Sequence, residues 1–294
     1  MNINTDYLDR VRRLAALCVR RKTSDLLEGD YASRAHGRSL DFDDLREYRP
    51  GDEVSDIDWK SSSRTGRILV RRYFAERKHD ALFVCDTGRK MDADTSGGES
   101  KAHLAMMAFG VSAYLLDRQG VNYALAFRGG DRDYRSGFLS GVPHLERQLA
   151  AYQHALEGAG PDDTLPGTLE RISGIYTRHM ILMIVTDGEG LAALDERLVR
   201  RLVRFSDVYI FKIEDAFLST PDIYDIQAER FEDPFLASDP GLRREELRLR
   251  DSMDRAAEQL LARHRAFFCP IAREEDIVDA FTEMFRRRKG CVSA

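Results

Sequence analysis

The sequence predicts an α/β chain: a doubly wound, mainly parallel sheet with an N-terminal β-rich extension and a hairpin-and-helix insert. Three observations carry this. Five short apolar runs, ALFVC (81–85), VNYALAF (121–127), MILMIV (180–185), DVYIFKI (207–213) and AFFCPI (266–271), read as buried strands. Amphipathic helical stretches fall between and after them. Strands alternating with helices in this way lie parallel, with helices covering both faces of the sheet.

Taken in chain order, residues 5–20 give a helix, with Tyr7, Val11, Leu14 and Cys18 at helical spacing between arginines. Residues 29–78 lack helical periodicity and are rich in charge, turn residues and β-formers, which predicts strands and loops with a turn at Pro50-Gly51-Asp52. After the first apolar strand, Ser100 caps a helix carrying Leu104, Met107, Val111 and Leu115, and Gly120 ends it. Pro143 opens the next helix, with Leu145, Leu149, Tyr152 and Leu156 aligned and Gly158 as the stop. A further helix is expected around Leu194–Val203, and a last one through Ile277, Phe281 and Met284. Between the fourth and fifth strands, residues 222–236 fit a hairpin, and Leu249, Met253, Ala256 and Leu260 mark another helix. The organisation expected is 1–79, an N-terminal helix and β-rich segment, packed on a main domain at 80–294 with its insert at about 214–265.

Composition bounds the function. The 294 residues are 43% hydrophobic and 32% charged, with 45 basic against 50 acidic side chains and a formal charge of −5. That balance gives no electrostatic reason to expect a nucleic-acid or membrane partner. The N-terminus lacks a signal-peptide layout, and no apolar run approaches the roughly 20 residues of a membrane span. Cys18, Cys85, Cys269 and Cys291 are scattered with no C-x-x-C pair, which fits reduced thiols and a cytoplasmic protein, and no zinc is expected.

Chemistry in an open parallel sheet gathers beyond the carboxyl ends of the strands. Asp86 directly follows ALFVC, and Asp187 follows MILMIVT in IVTDGEG, so both are expected on one rim. Thr164, at the start of a helix before the third strand, is expected near them. Either aspartate alone reads as a turn or cap residue; two at equivalent strand ends suggest a shared site.

The stretch GRSLDFDDLREYRPGDEVSDIDWKSSSRTGRILVRRYFAER, leading into VCDTGRKM, resembles the domain of unknown function 58 family. Arg46, Tyr48, Pro50, Gly51, Asp52, Ile57, Asp58, Trp59, Arg64 and Glu76 fall where that family's signature expects them. Weaker similarity runs through VTDG to IEDAF and IYDIQAERF. The resemblance implies a von Willebrand factor A-like, Rossmann-type fold. It also implies, in many members, a metal-ion-dependent adhesion site of the pattern Asp-x-Ser-x-Ser followed by a distant Thr and a distant Asp. Asp86, Thr164 and Asp187 match those positions and would be the ligands if any metal bound, but Gly88 and Lys90 stand in place of the two serines. Magnesium wants near-octahedral oxygen coordination, and Lys90 brings a cation where the ion would sit, so neither magnesium nor any other cofactor is expected. Asp86, Gly88, Lys90, Thr164 and Asp187 are read instead as a degenerate, protein-binding rim, with Lys90 reaching between the two acids.

Other constellations have plainer readings. Asp52, Glu53, Asp56 and Asp58 could serve a metal-dependent hydrolase, but no histidine stands near, and a structural role is expected with Trp59 packed on the main sheet. Arg64, Arg67, Arg71 and Arg72 could contact nucleic acid, though acidic neighbours favour a solvated strand face. No nucleophile, base and oxyanion set is present in the pattern, so no enzyme is expected. Members of the resembled family are associated with MoxR-type AAA+ ATPases, which makes a non-enzymatic adaptor or scaffold for such an ATPase the leading expectation. The hydrolase and the nucleic-acid factor remain its alternatives.

Overall fold

A computed structural model describes residues 3–20, 42–49, 54–73, 80–129, 132–158, 165–176, 178–217, 224–225, 230–231 and 239–292. Thr164 and the Pro50-Gly51-Asp52 turn, with Glu53 and Glu76, lie outside these residues.

The chain begins with helix α1 (Ile3–Arg20). Strands β1 (Phe42–Glu47) and β2 (Leu69–Tyr73) pair antiparallel in a two-stranded sheet of their own. Between them lies a short helix, α2 (Trp59–Thr65). This corrects the expectation of strands and loops alone. Asp58 accepts the Ser61 N–H as N-cap, and Gly66 closes the helix at φ 71° with its N–H on the Ser62 carbonyl. The cap residues define a helix too short for periodicity to reveal. Trp59, expected against the main sheet, is the first residue of α2 and is 64% exposed, because the cap turns that side chain outward.

The main sheet has six strands: β3 (Asp80–Cys85), β4 (Asn122–Gly129), β5 (Arg132–Arg135), β6 (Met180–Asp187), β7 (Ser206–Ile213) and β10 (Phe267–Ile271). Their spatial order is β10-β7-β6-β3-β4-β5, all parallel except the antiparallel edge strand β5. The hairpin in the insert is the pair β8 (Tyr224–Asp225) and β9 (Arg230–Phe231).

Alternation along the strands divides the core in two. Ala81, Phe83 and Cys85 of β3, with Ile181, Met183 and Val185 of β6, face one side. Helices α3 (Lys101–Arg118), α4 (Val142–Glu157) and α9 (Asp276–Val292) cover that side. Leu82 and Val84, with Leu182 and Ile184, face the other side, under α5 (Leu165–Ile175), α7 (Glu196–Leu202) and Leu261 of α8 (Pro240–Arg263). Every residue of β3 and β6 is buried, as central parallel strands require.

Helix α3 is apolar almost all round because it has neighbours all round. The sheet lies beneath it, α4 and α9 beside it, and Leu8, Val11 and Ala15 of α1 pack into the same core. Near the end of α9, Arg286 and Arg287 pair with Glu283, and Arg288 reaches Asp207 on β7.

Candidate functional site

The strand order reverses between β3 and β6, because β4 lies on one side of β3 and β6 on the other. A crevice opens beyond the carboxyl ends of the strands at such a reversal. Asp86 and Asp187 stand there, each 1% exposed.

Asp86 is the first residue past β3, and its N–H extends the pairing with β6 by donating to the Val185 carbonyl at 2.8 Å. Its carboxylate is fully engaged. Oδ1 accepts the Gly88 N–H at 3.0 Å; Oδ2 accepts the Thr186 hydroxyl at 2.8 Å and lies 3.2 Å from the Lys90 ammonium. Its own carbonyl accepts the Tyr152 hydroxyl from α4 at 2.8 Å. Thr87 points away from this cluster and donates to the Arg128 carbonyl.

Asp187 ends β6 and caps the short helix α6 (Gly188–Ala192), accepting the Gly190 N–H at 2.9 Å on Oδ1. The same oxygen is 2.9 Å from Lys90 Nζ, while Oδ2 is 3.2 Å from Lys101 Nζ. Lys101 also pairs with Asp215, just past β7. Three strand-end carboxylates thus face two lysines. At a separation near 3 Å and an effective dielectric near 20, an opposite-charge contact between the buried groups supplies roughly 5 kcal/mol of attraction, set against the cost of removing both charges from water. The Lys101–Asp215 contact is weaker, because the Asp215 side chain is 37% exposed.

The titrations follow this geometry. Burial alone would raise Asp187, but Lys101, Lys90 and the Gly190 N–H outweigh it and hold the carboxyl below its usual range. Burial alone would lower Lys90, but Asp86 and Asp187 outweigh it and hold the ammonium above its usual range. Burial pushes the Cys85 thiol well up, which makes it a packing residue rather than a nucleophile.

Small residues are required around the cluster. A Cβ on Gly190 would collide with Thr186 Oγ1 and come within 3.1 Å of Asp86 Oδ2 and 3.2 Å of Lys90 Nζ. The donor set does not suit magnesium. An ammonium bridges the oxygens an ion would need, and no serine hydroxyl stands at positions 88 or 90.

Of the residues singled out in the sequence, Asp86, Gly88, Lys90 and Asp187 converge. Thr186, Lys101 and Asp215 join them without having been foreseen. Lys101 had a signal: it opens a helix, where the macrodipole disfavours a cation, so it needs an acidic partner. Asp215 obeys the strand-end rule that located the other two acids. A second buried lysine, Lys212, lies 2.7 Å from both oxygens of Asp254 on α8 and 3.1 Å from Glu214.

The other constellations separate. Asp56 sits in a 3-10 turn (Val54–Asp56) and Asp58 caps α2, and neither joins a metal-capable group among the described residues. Arg64 lies on α2 rather than a strand, and Arg67 pairs with Glu47. No helix among the described residues is long and apolar enough to cross a membrane.

A family model described as "Protein of unknown function DUF58" matches residues 44–218. Uncharacterised proteins of Mycobacterium bovis and Mycobacterium tuberculosis are each 26% identical over 271 residues, covering 90% of this chain and 81% of theirs. Among solved structures, an aerotolerance-related membrane protein from Bacteroides fragilis overlaps 71% of this chain and 99% of its own, at 8% identity and a TM-score of 0.41. The PilB minor pilin from Streptococcus sanguinis overlaps 76% and 65%, at 13% identity and a TM-score of 0.34. Overlaps of that size define no shared fold. The family model spans more than half of the chain, and the chain belongs to the DUF58 family of proteins of unknown function.

Proposed function

We propose that this chain is a non-enzymatic cytoplasmic adaptor with a von Willebrand factor A-like fold, which presents the rim at the strand ends to a protein partner. A MoxR-type AAA+ ATPase is the partner the family resemblance suggests. Support for the fold reading comes from the strand order, with its reversal between β3 and β6 and its antiparallel edge β5.

The observation that carries the functional reading is the Lys90 ammonium between Asp86 and Asp187. In an adhesion-type site a divalent ion would hold such acids and offer open coordination positions to a partner's carboxylate. Here the charges are internally compensated and buried, so recognition falls to the side chains around them. Among the described residues, Arg89, Asp92 and Glu189 are exposed and adjoin the cluster in sequence.

Capture of the ATPase by immobilised full-length chain, in ATP and in ADP, tests this reading. Charge reversal at Arg89, Asp92 and Glu189 is expected to abolish capture while leaving the melting transition intact, because none of the three is buried. Undiminished capture by the folded triple variant would move the interface off this rim.

A further inference from the structure

Away from the strand ends, α1, the start of α3 and the loop after β10 border an open cleft of about 710 Å³. Glu99, His103 and Glu274 line it, and each offers one ligand atom within 4.8 Å of the others. His103 Nε2 is 2.7 Å from Glu274 Oε2, and its Nδ1 is 3.3 Å from the Tyr7 hydroxyl of α1. The Glu274 N–H lies 3.3 Å from both carboxylate oxygens of Glu99. Arg10 of α1 donates to Glu274 Oε2 at 2.6 Å.

We propose that Glu99, His103 and Glu274 bind a first-row divalent metal ion of the zinc or manganese type, at a site separate from the Asp86–Asp187 cluster. One imidazole and two carboxylates form a donor set suited to these ions, and the open side of the cleft leaves positions for water. The supporting contacts are of the kind that orient metal ligands. Tyr7 engages Nδ1, which turns Nε2 toward the carboxylates, and the backbone of Glu274 anchors Glu99. Without a metal, Arg10 supplies the cation. Its side chain is 40% exposed, so it can withdraw to solvent when an ion takes Glu274 Oε2. Binding uses the neutral imidazole through an unprotonated Nε2, with the proton on Nδ1 donated to the Tyr7 hydroxyl. The sequence-level expectation of no metal could not have met this site, because His103 and Glu274 are 171 residues apart.

Titration of tag-free full-length protein with Co²⁺, read by visible absorption, tests the proposal, with Zn²⁺ added as competitor. A saturable one-to-one spectrum displaced by Zn²⁺ is expected. His103→Ala should abolish it, and Glu274→Gln should weaken it by about tenfold or more. Arg10→Gln should tighten it, since the competing guanidinium is gone. Should His103→Ala melt abnormally, Glu99→Gln at the cleft wall gives the same reading and is expected to weaken binding comparably. Absence of saturable binding at millimolar Co²⁺, or wild-type titration by both His103→Ala and Glu274→Gln, would overturn the proposal.

Discussion

The Lys90 ammonium lies 2.9 Å from Oδ1 of Asp187, the oxygen that also accepts the Gly190 N–H at the start of α6. Its second contact, to Asp86 Oδ2, ties the ends of two neighbouring strands through one side chain. Removing a partner from a buried ion pair strands the remaining charge and costs about 3–5 kcal/mol. Lys90→Met should therefore lower the urea unfolding free energy by that amount, despite its near-equal volume. A loss below about 1 kcal/mol would mean that water or another cation already serves the two acids.

The pH profile should carry both signs. Asp187 is held below the ordinary carboxylate range, so its contribution is full above the unfolded value near 3.9 and is lost as pH falls through its lower folded value. Lys90 is held above the ordinary lysine range, so its contribution is full below about 10.4 and is lost as pH rises through its higher folded value. Neither limb touches neutral pH. Urea unfolding across the acid range should show a shallower decline in Asp187→Asn than in wild type. Parallel profiles would exclude Asp187 as a source of acid lability.

Gly190→Ala sets two effects against each other. Alanine in a helix gains about 1 kcal/mol over glycine. The added methyl meets Thr186 Oγ1, whose hydroxyl is held by Asp86, so it cannot yield without breaking that hydrogen bond. Overpacking of this kind costs about 1–3 kcal/mol, and the clash should prevail. Thermal unfolding should show a lower Tm; a rise would mean that the Thr186 hydroxyl turns away freely.

Gly110, in the middle of α3, is the seat of α1. A Cβ there would lie 2.8 Å from Val11 Cγ2 and 3.3 Å from Leu149 Cδ2. Valine is stiff at χ1, so Gly110→Ala should push α1 outward and destabilise the chain by about 1–2 kcal/mol. Adding Val11→Ala should recover part of that loss. Absence of any coupling between the two changes in a double-mutant cycle would contradict this packing.

Much of the architecture was legible because apolar strands and amphipathic helices each have a period, and both periods survive in Leu82/Phe83/Val84 and Leu145/Leu149/Tyr152. Helix α2 escaped because seven residues carry no period, and only Asp58 and Gly66 at its ends reveal it. The edge strand β5 escaped because its four residues are largely exposed; it is held by antiparallel pairing with β4, with Tyr134 stacked on Phe127 at 4.5 Å. In the site, the strand-end rule located Asp86 and Asp187. Lys101 and Asp215 each carried a local signal, a helix start and a strand end, but the pairing of Lys101 with Asp215 and with Asp187 spans 114 and 86 residues and has no signature in the sequence.

The central claim is that Lys90 takes the place of a divalent ion between Asp86 and Asp187. Its most direct test is the Tm with and without millimolar Mg²⁺ for wild type and for Gly88→Ser combined with Lys90→Ser. Both are made in a His103→Ala background, so that the α1 cleft contributes nothing. The serines restore two oxygen ligands and free the two oxygens that Lys90 holds, Asp86 Oδ2 and Asp187 Oδ1, while Lys101 stays on Asp187 Oδ2. The account predicts no Mg²⁺-dependent shift with Lys90 present and a clear rise in Tm in the serine variant. A rise with Lys90 in place, equal to that of the serine variant, would contradict it.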